Sequence, residues 1–239
     1  MDEMTQSVIQ ANESRAAIYR MLASLYFKEL TDEQLDHIKG LDFSTFEGLD
    51  EGFAEGCRDI ERYLRKKNSA TRQLLAVDYA GAILGAGVHE ERRATPYESV
   101  FTSDDGLMMQ DARDDVYKLM LEAHLEVDEK LRVPEDHLSF MFEYLAIMAE
   151  RCNELLEVGV DAEALENLRT EQAFHRDHLM NWIDEYCDCL EGCAETRFYR
   201  GVAKMTRSFV QLDGELLADL VEAVEEMAAE APPAEESAA

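Results

Sequence analysis

Two short runs decide how this chain is read: T-P-Y-E-S-V-F at Thr95–Phe101 and V-P-E-D-H-L-S-F at Val133–Phe140. They hold Pro96 and Pro134, the only prolines ahead of the tail pair Pro232 and Pro233. Proline fixes φ and has no backbone donor, so each one punctuates a chain that otherwise reads as helix. Pro134, with Glu135, Asp136 and His137 behind it, has the pattern of a first helical turn. Proline is pre-set for the first helical position, and carboxylates there meet the positive end of the helix dipole. The spacing predicts a helix over Glu135–Leu156, the longest in the chain. Leu138, Met141, Phe142, Leu145, Met148 and Cys152 share one face and Phe140, Tyr144 and Ile147 a second, so two sides are expected to be buried. A junction rich in His, Asp and Glu then faces the middle of the molecule.

Upstream, Ser14–Lys28 reads as a helix with Ile18, Met21, Leu22 and Leu25 on its buried stripe. Thr31 and Gln34 have capping-box spacing and open a short helix that stops near Gly40. Asp42–Gly52 reads as a loop with a helical turn. Phe53–Lys67 follows, with Phe53, Cys57, Ile60 and Leu64 inward and a basic run at its end, explained by the helix dipole and a solvated face. Ser69–Leu84 is the next helix, with Leu74, Leu75, Val77 and Tyr79 as core candidates. Its glycine-rich end, Gly81–Gly87, lacks the Lys-Ser/Thr and the preceding strand of a phosphate loop, and reads as helix termination. His89–Thr95 is a charged linker. Asp104 and Asp105 supply the next helix start, with Val116, Leu119, Met120 and Ala123 inside, and His124–Arg132 is a polar connection.

Downstream, Asp161 is an N-cap after Val158-Gly159-Val160. Helices are expected over Ala162–Phe174 and Arg176–Leu190, the second burying Leu179, Trp182, Ile183, Tyr186 and Leu190. Another runs from Glu195 to Leu212, Asp213-Gly214 breaks it, and a last helix carries Leu217, Leu220, Val221 and Val224. The tail Ala229–Ala239 reads as acidic and disordered. There is no repeat and no strand pattern, which gives an all-α fold of about ten helices.

Composition agrees: 46% hydrophobic residues, 12 Gly and 4 Pro in 239 residues favour helix throughout. A formal charge of −29 argues against nucleic acid as a partner. Five cysteines without framework spacing point to a reducing compartment. No secretory pattern and no membrane-length apolar run stand in the sequence, so a cytoplasmic chain with no membrane insertion is expected.

Catalytic and metal readings fail on spacing. Of Cys187, Cys189 and Cys193 only the last two share a helix face, and no second ligand pair accompanies them. His175 and His178, one turn apart, have no metalloprotease base and are expected partly exposed beside the core. There is no nucleophile elbow, and neighbouring Asp136 and His137 do not face each other on a helix. No catalytic residue and no metal ligand is assigned. On chemistry alone, capping suffices for Asp136 and a hydrogen-bonded junction role for His137.

In order and spacing, Pro96–Phe101, Val133–Tyr144 and His178-Leu179-x-x-Trp182, followed by Phe198-Tyr199, resemble the TorD/DmsD family of redox-enzyme maturation chaperones, relatives of the nitrate-reductase assembly chaperones. The family's Glu-Pro-x-Asp-His motif stands here with Val133 in place of its leading Glu. The likeness runs from about Ser14 to Leu212. It implies two helical halves, 1–132 and 133–228, meeting at a Pro-x-Asp-His hinge, with 229–239 as the tail. It also implies a non-catalytic cytoplasmic protein that binds the twin-arginine leader and apo catalytic subunit of a molybdopterin oxidoreductase until its cofactor is inserted. Monomer or hinge-swapped homodimer, no tightly bound cofactor, and weak contact with guanine nucleotide or molybdenum cofactor are further implications. A helical adaptor for the folded catalytic subunit is the alternative role. A leader presents guanidinium groups and an apolar run, so its receptor needs carboxylates beside an apolar groove. Glu98–Glu150 carries 14 Asp/Glu against 4 Lys/Arg. Glu98, Glu135 and Asp136 are therefore expected to receive the arginines. Tyr97, Val100 and Phe140 would line the apolar part, with Pro96, Ser99, Phe101, Pro134 and His137 completing the site.

Overall fold

Asp2 opens the first helix, α1 (Glu3–Phe27), by accepting the Thr5 N–H on its carboxylate at 2.8 Å. The computed structural model describes residues 2–46, 48–86 and 94–230. After α1 come α2 (Asp32–Gly40), a 3-10 turn (Phe43–Phe46), α3 (Glu51–Leu64) and α4 (Thr71–Ala82). The short α5 (Glu98–Thr102) and α6 (Asp111–Glu122) precede a second 3-10 turn (Glu129–Leu131). The chain closes with α7 (Leu138–Glu157), α8 (Asp161–His178), α9 (Ile183–Cys193) and α10 (Arg197–Glu230). The fold is all-α: among the described residues there are ten α-helices and no strand. None of these helices is long and apolar enough to cross a membrane.

α1 lies along α7, and α10 packs on α3, α8, α9 and α1, so elements from both ends of the chain share one core. Tyr19, Leu22 and Tyr26 of α1 meet Met141, Phe142 and Leu145 of α7 and Phe198, Val202 and Phe209 of α10. A smaller apolar cluster, including Val8, Leu156, Leu168, Leu217 and Val224, fills the far end of the α1–α7–α8–α10 bundle. Between the clusters sits a buried polar belt. Arg15 grips Asp213 through Nε (2.6 Å) and Nη2 (3.0 Å), and the same Nη2 reaches Glu171 at 2.5 Å. Tyr19 donates to Asp213 at 2.6 Å. One cation thus faces two buried carboxylates. Asp213 takes the two-point contact, while Glu171 Oε2 has no partner. Burial pushes the Glu171 pKa up to about 7, against the pull of Arg15. Arg15 itself stays charged, because Asp213 and Glu171 outweigh its desolvation. We read Glu171 as the group of this cluster that holds a proton.

α3 and α10 cross at backbone contact. A Cβ on Gly56 would stand 2.5 Å from the Gly201 carbonyl oxygen, and one on Gly201 2.7 Å from that of Gly56. Glycine at both positions is what lets the axes approach.

Several elements match the sequence reading. The Thr31/Gln34 capping box forms with both hydrogen bonds, and α2 ends at Gly40. Phe53, Cys57, Ile60 and Leu64 are buried together on α3. Others differ. α1 begins eleven residues before Ser14; its first three turns bury Thr5, Val8 and Asn12, too polar a set to print an apolar stripe. α6 starts at Asp111, not at Asp104–Asp105, because Gly106 and Met109 adopt positive φ in between. α8 runs through His175 to His178, and the break falls at Leu179–Trp182. His175 is accordingly buried, 2% exposed, while His178 is half-buried. α8 takes Val160 as N-cap, with Asp161 inside its first turn.

Asp213-Gly214 does not break the last helix: α10 is continuous over 34 residues and is the longest, not α7. Asp213 spends its side chain on Arg15 and Tyr19 rather than on its own backbone. A mid-helix glycine costs only about 1 kcal/mol, and a Cβ on Gly214 would press the His175 ring at 3.1 Å. On α4, Leu75 and Tyr79 are buried but Leu74 and Val77 are 54% and 63% exposed. Of the expected linker, 89–93 lie outside the described residues, as does Gly87 of the glycine run. Of the expected tail, Ala229 and Glu230 belong to α10 and 231–239 lie outside.

Candidate functional site: the α5–α7 junction

The two proline runs come together as backbone. Leu138 N–H donates to the Pro96 carbonyl at 2.8 Å and Glu98 N–H to the Asp136 carbonyl at 3.2 Å. This is a single antiparallel bridge between Tyr97 and His137. Their rings meet edge to face with centroids 4.9 Å apart. Pro134 does not start α7. Its carbonyl accepts the His137 N–H at 3.2 Å, closing a turn ahead of the helix. His137 is the N-cap: its Nδ1 accepts the Ser139 N–H at 3.1 Å. That role requires a neutral ring, and burial lowers the His137 pKa to about 4. Proline sets the turn, and the extended conformation of His137 (φ −70°, ψ 129°) ends it. Ser139 Oγ then donates to the Ala23 carbonyl at 2.8 Å, fastening the start of α7 to α1.

Asp136 is not a dipole partner of α7. Its carboxylate turns to the start of α5, where Oδ2 accepts both the Ser99 N–H (3.0 Å) and the Ser99 hydroxyl (2.5 Å). Asp136 is fully buried and its Oδ1 has no partner. Burial raises its pKa, partly offset by the Ser99 bonds.

Glu98, 2% exposed, is aimed inward as well. It accepts from Asn181 Nδ2 at 3.0 Å and lies 3.0 and 3.2 Å from His178 Nδ1. Burial raises the Glu98 pKa; for His178 the carboxylate overcomes burial and raises its pKa too. Phe101 stacks on Trp182 (5.4 Å, 28°), and Trp182 Nε1 donates to the His178 carbonyl at 2.6 Å. So α5 ties together three segments distant in sequence: 96–101, 134–140 and 178–182.

Of the remaining expected residues, Glu135 is held by Arg113 Nε at 2.6 Å, and Arg113 lies over the Tyr117 ring. Tyr97, Val100, Phe101 and Phe140 are half-buried, and Pro96 is buried. Phe140 packs on Phe27 (5.6 Å) and on His137 (5.7 Å) and opens into a 220 Å³ slot. Leu125, Val127, Leu131 and Ile147 line the slot, and Glu126, Asp128 and Glu143 rim it. Glu143 pairs with Arg20 at 2.9 Å; Glu126 and Asp128 have no ion pair among the described residues. Sequence reasoning did not single out these three carboxylates, although the acid-dense stretch that contains them was the signal. Among the described residues, no group of three or more His, Cys, Asp and Glu is placed to hold a metal.

The family model of the nitrate reductase delta subunit matches residues 46–188, from the first 3-10 turn into α9. That span holds the whole junction. The chain belongs to this family. Similar proteins over nearly the full length are named chaperone protein TorD. The one from Vibrio parahaemolyticus is 29% identical over 218 residues, 89% of this chain and 98% of that protein. The one from Vibrio cholerae (El Tor Inaba N16961) is 28% identical over 222 residues, 91% and 98%. The one from Photobacterium profundum is 28% identical over 219 residues, 89% and 98%. These alignments extend beyond the family model's span at one or both ends. The chain is therefore a redox-enzyme maturation chaperone of the TorD family, whose members serve molybdoenzymes, and not an enzyme. In this TorD-family chaperone the Glu98–His178 pair needs no catalytic reading; it joins α5 to the end of α8.

Proposed function

We propose that the chain binds the twin-arginine leader of a molybdopterin oxidoreductase on the face of the α5–α7 junction and retains the apo catalytic subunit until its cofactor is inserted. The observation that carries the reading is the apolar slot at Phe140 with its acid rim. A guanidinium group gains from carboxylates beside a low-dielectric surface, and an apolar leader residue gains from the slot. Glu126 and Asp128, free of ion pairs among the described residues, are the proposed arginine receptors, with Glu143 beside them on the slot; Glu135, held by Arg113, is not among the slot's lining residues. Tyr97, Val100, Phe101 and Phe140 supply apolar contact. Glu98, Asp136 and His137, with Pro96, Ser99 and Pro134, hold the junction in register. The rim does not suit a guanine nucleotide or the molybdenum cofactor's phosphates, which would meet carboxylates there; cofactor insertion is attributed to the retained client, not to a site on this face.

Calorimetric titration with a twin-arginine leader peptide tests the reading. Saturable, salt-sensitive binding is expected, weakened about tenfold by Glu126→Gln/Asp128→Asn, which is about 1.4 kcal/mol. Binding to the mature catalytic subunit with none to the leader would replace this reading by that of an assembly adaptor.

A further inference from the structure

Three of the five cysteines, Cys57, Cys152 and Cys187, are buried, and burial raises the pKa of each. They act as small apolar side chains within the two clusters. Cys189 and Cys193 are different. They stand one turn apart at the end of α9, half-buried at the edge of the main core. Their sulfurs are in hydrogen-bond contact, the Cys193 thiol donating to Cys189, which lowers the Cys189 pKa to about 7 and raises that of Cys193. The Ala94 amide also reaches Cys193 and favours its ionised form. Two sulfurs thus meet where solvent can enter, one of them ready to ionise near neutral pH.

Neither thiol is in a disulfide, and an intact α9 opposes one. Side chains four apart on a helix have Cβ atoms about 5–6 Å apart, whereas a disulfide needs about 3.5–4.5 Å. Closing the bond would unwind the last turn of α9 and break the Ala194 N–H bond to the Leu190 carbonyl (2.9 Å). It would also move the Ala194 carbonyl, which accepts from Arg200 Nε at 2.9 Å. A single atom placed between the sulfurs spans a longer gap and leaves the helix as it is. Zinc is not that atom, because a structural zinc takes four ligands. Among the described residues no third His, Cys, Asp or Glu is placed to join the pair. The surroundings favour a cation nonetheless: Glu185, one turn before Cys189, opposes its thiolate, and a positive ion relieves that repulsion.

We propose that Cys189 and Cys193 form a two-thiolate binding site for a soft monovalent metal ion, Cu(I). Thiolates select soft ions, and a filled-shell monovalent ion is satisfied by two of them in line. The ion takes the place of the proton between the sulfurs. Cu(I) and two thiols give an S–Cu–S unit and two released protons, or one where Cys189 is already ionised; no electron is transferred. Binding therefore tightens as pH rises. The pair shares no residue with the acid-rimmed slot, so the site stands or falls independently of the leader reading.

The full chain, reduced and kept free of oxygen, is titrated with Cu(I) against the coloured chelator bicinchoninate, and with Zn(II) against a zinc dye. Cys189→Ser and Cys193→Ser run alongside, each with Cys57, Cys152 and Cys187 intact as an internal control. Cys189→Ala and Cys193→Ala repeat the test without adding a hydroxyl. The replaced side chains are half-buried, and circular dichroism checks that each variant keeps its helices. One Cu(I) per chain is expected to be withheld from the chelator by the parent and lost to it by every variant. X-ray absorption of the loaded parent is expected to show two sulfur neighbours and no other ligand, and affinity is expected to rise with pH. Transfer of all Cu(I) to the chelator, retention by a folded variant lacking either sulfur, or a third ligand in the absorption spectrum overturns the site. Zn(II) held by the same pair as firmly as Cu(I) overturns it too, because two ligands would then not be all that the site offers.

Discussion

Asp136 separates two roles that the motif could serve, and the structure gives the size of the difference. Its Oδ2 is the acceptor for both Ser99 donors, and Ser99 is itself fully buried. Asp136→Ala leaves a backbone N–H and a hydroxyl buried with nothing to receive them. At about 1–3 kcal/mol for each unsatisfied group, a loss of about 2–6 kcal/mol is expected. Asp136→Asn keeps an acceptor in the same place and removes a charge whose second oxygen has no partner. Its stability is expected within about 1 kcal/mol of the parent at neutral pH. The sign of the pH dependence follows from the raised pKa. The folded state holds the proton more tightly than the unfolded chain. Stability from this group is therefore complete below the unfolded carboxylate value and declines as pH rises through the higher folded value. Asp136→Asn should lose that decline. Urea unfolding followed by fluorescence suits the test, because the single tryptophan, Trp182, stacks on Phe101 within the junction. Leader titration of the Asn variant should match the parent, since Asp136 is out of solvent. If Asn costs as much stability as Ala, the buried charge rather than the acceptor geometry holds the junction, and the capping argument is wrong.

Two further tests address the frame around the site. Glu171, with its pKa pushed up to about 7 from an ordinary 4.5, makes the parent more stable as pH falls from about 7 towards 4.5, by on the order of 3 kcal/mol. Glu171→Gln should flatten that slope in urea titrations across the window, and an unchanged slope would assign the proton elsewhere. Gly56→Ala should lower the thermal midpoint, with a net cost of about 1–3 kcal/mol even after the helix-propensity gain, because the added methyl meets α10 backbone at Gly201 and Met205 as well as the Met205 side chain, and the backbone cannot swing aside. A midpoint equal to or above the parent's would show that α3 and α10 can part without cost.

Much of the fold could be read from apolar spacing, as on α3 and α7, where the buried stripe matches residue for residue. Much of what could not be read shares one cause: a polar residue whose partner lies far away in sequence. Asp213-Gly214 looks like a helix stop until Arg15, Tyr19 and His175 are brought against it. Asn12 looks like a solvent-facing residue until α7 covers it, with Asn12 Nδ2 donating to Asn153 Oδ1 at 2.9 Å. Pro134-Glu135-Asp136 looks like a first turn because local rules put acids at helix starts. The rule holds, but the helix start that Asp136 serves is that of α5, 37 residues away. At the site, the motif segments come together, but Glu98 and Asp136, expected to receive the arginines, are buried and hold the junction instead.

That inversion bears on how an arginine-binding face can be built at all. A carboxylate that must receive a guanidinium from a partner has to remain hydrated and charged while the partner is absent, which burial opposes. Glu98 and Asp136 fail this requirement, since burial favours their protonated forms. Glu126 and Asp128 are exposed to solvent instead, and Glu143 keeps 40% of its side chain exposed. The two sets are nevertheless linked through one side chain. Phe140 touches His137, the cap of α7, on one side and opens the acid-rimmed slot on the other. A change at the buried set that shifts the start of α7 must therefore reshape the slot through Phe140. Loss of leader affinity in an Asp136→Ala variant would then report displacement of Phe140 and not a lost ion pair, and the intact affinity of Asp136→Asn is what distinguishes the two.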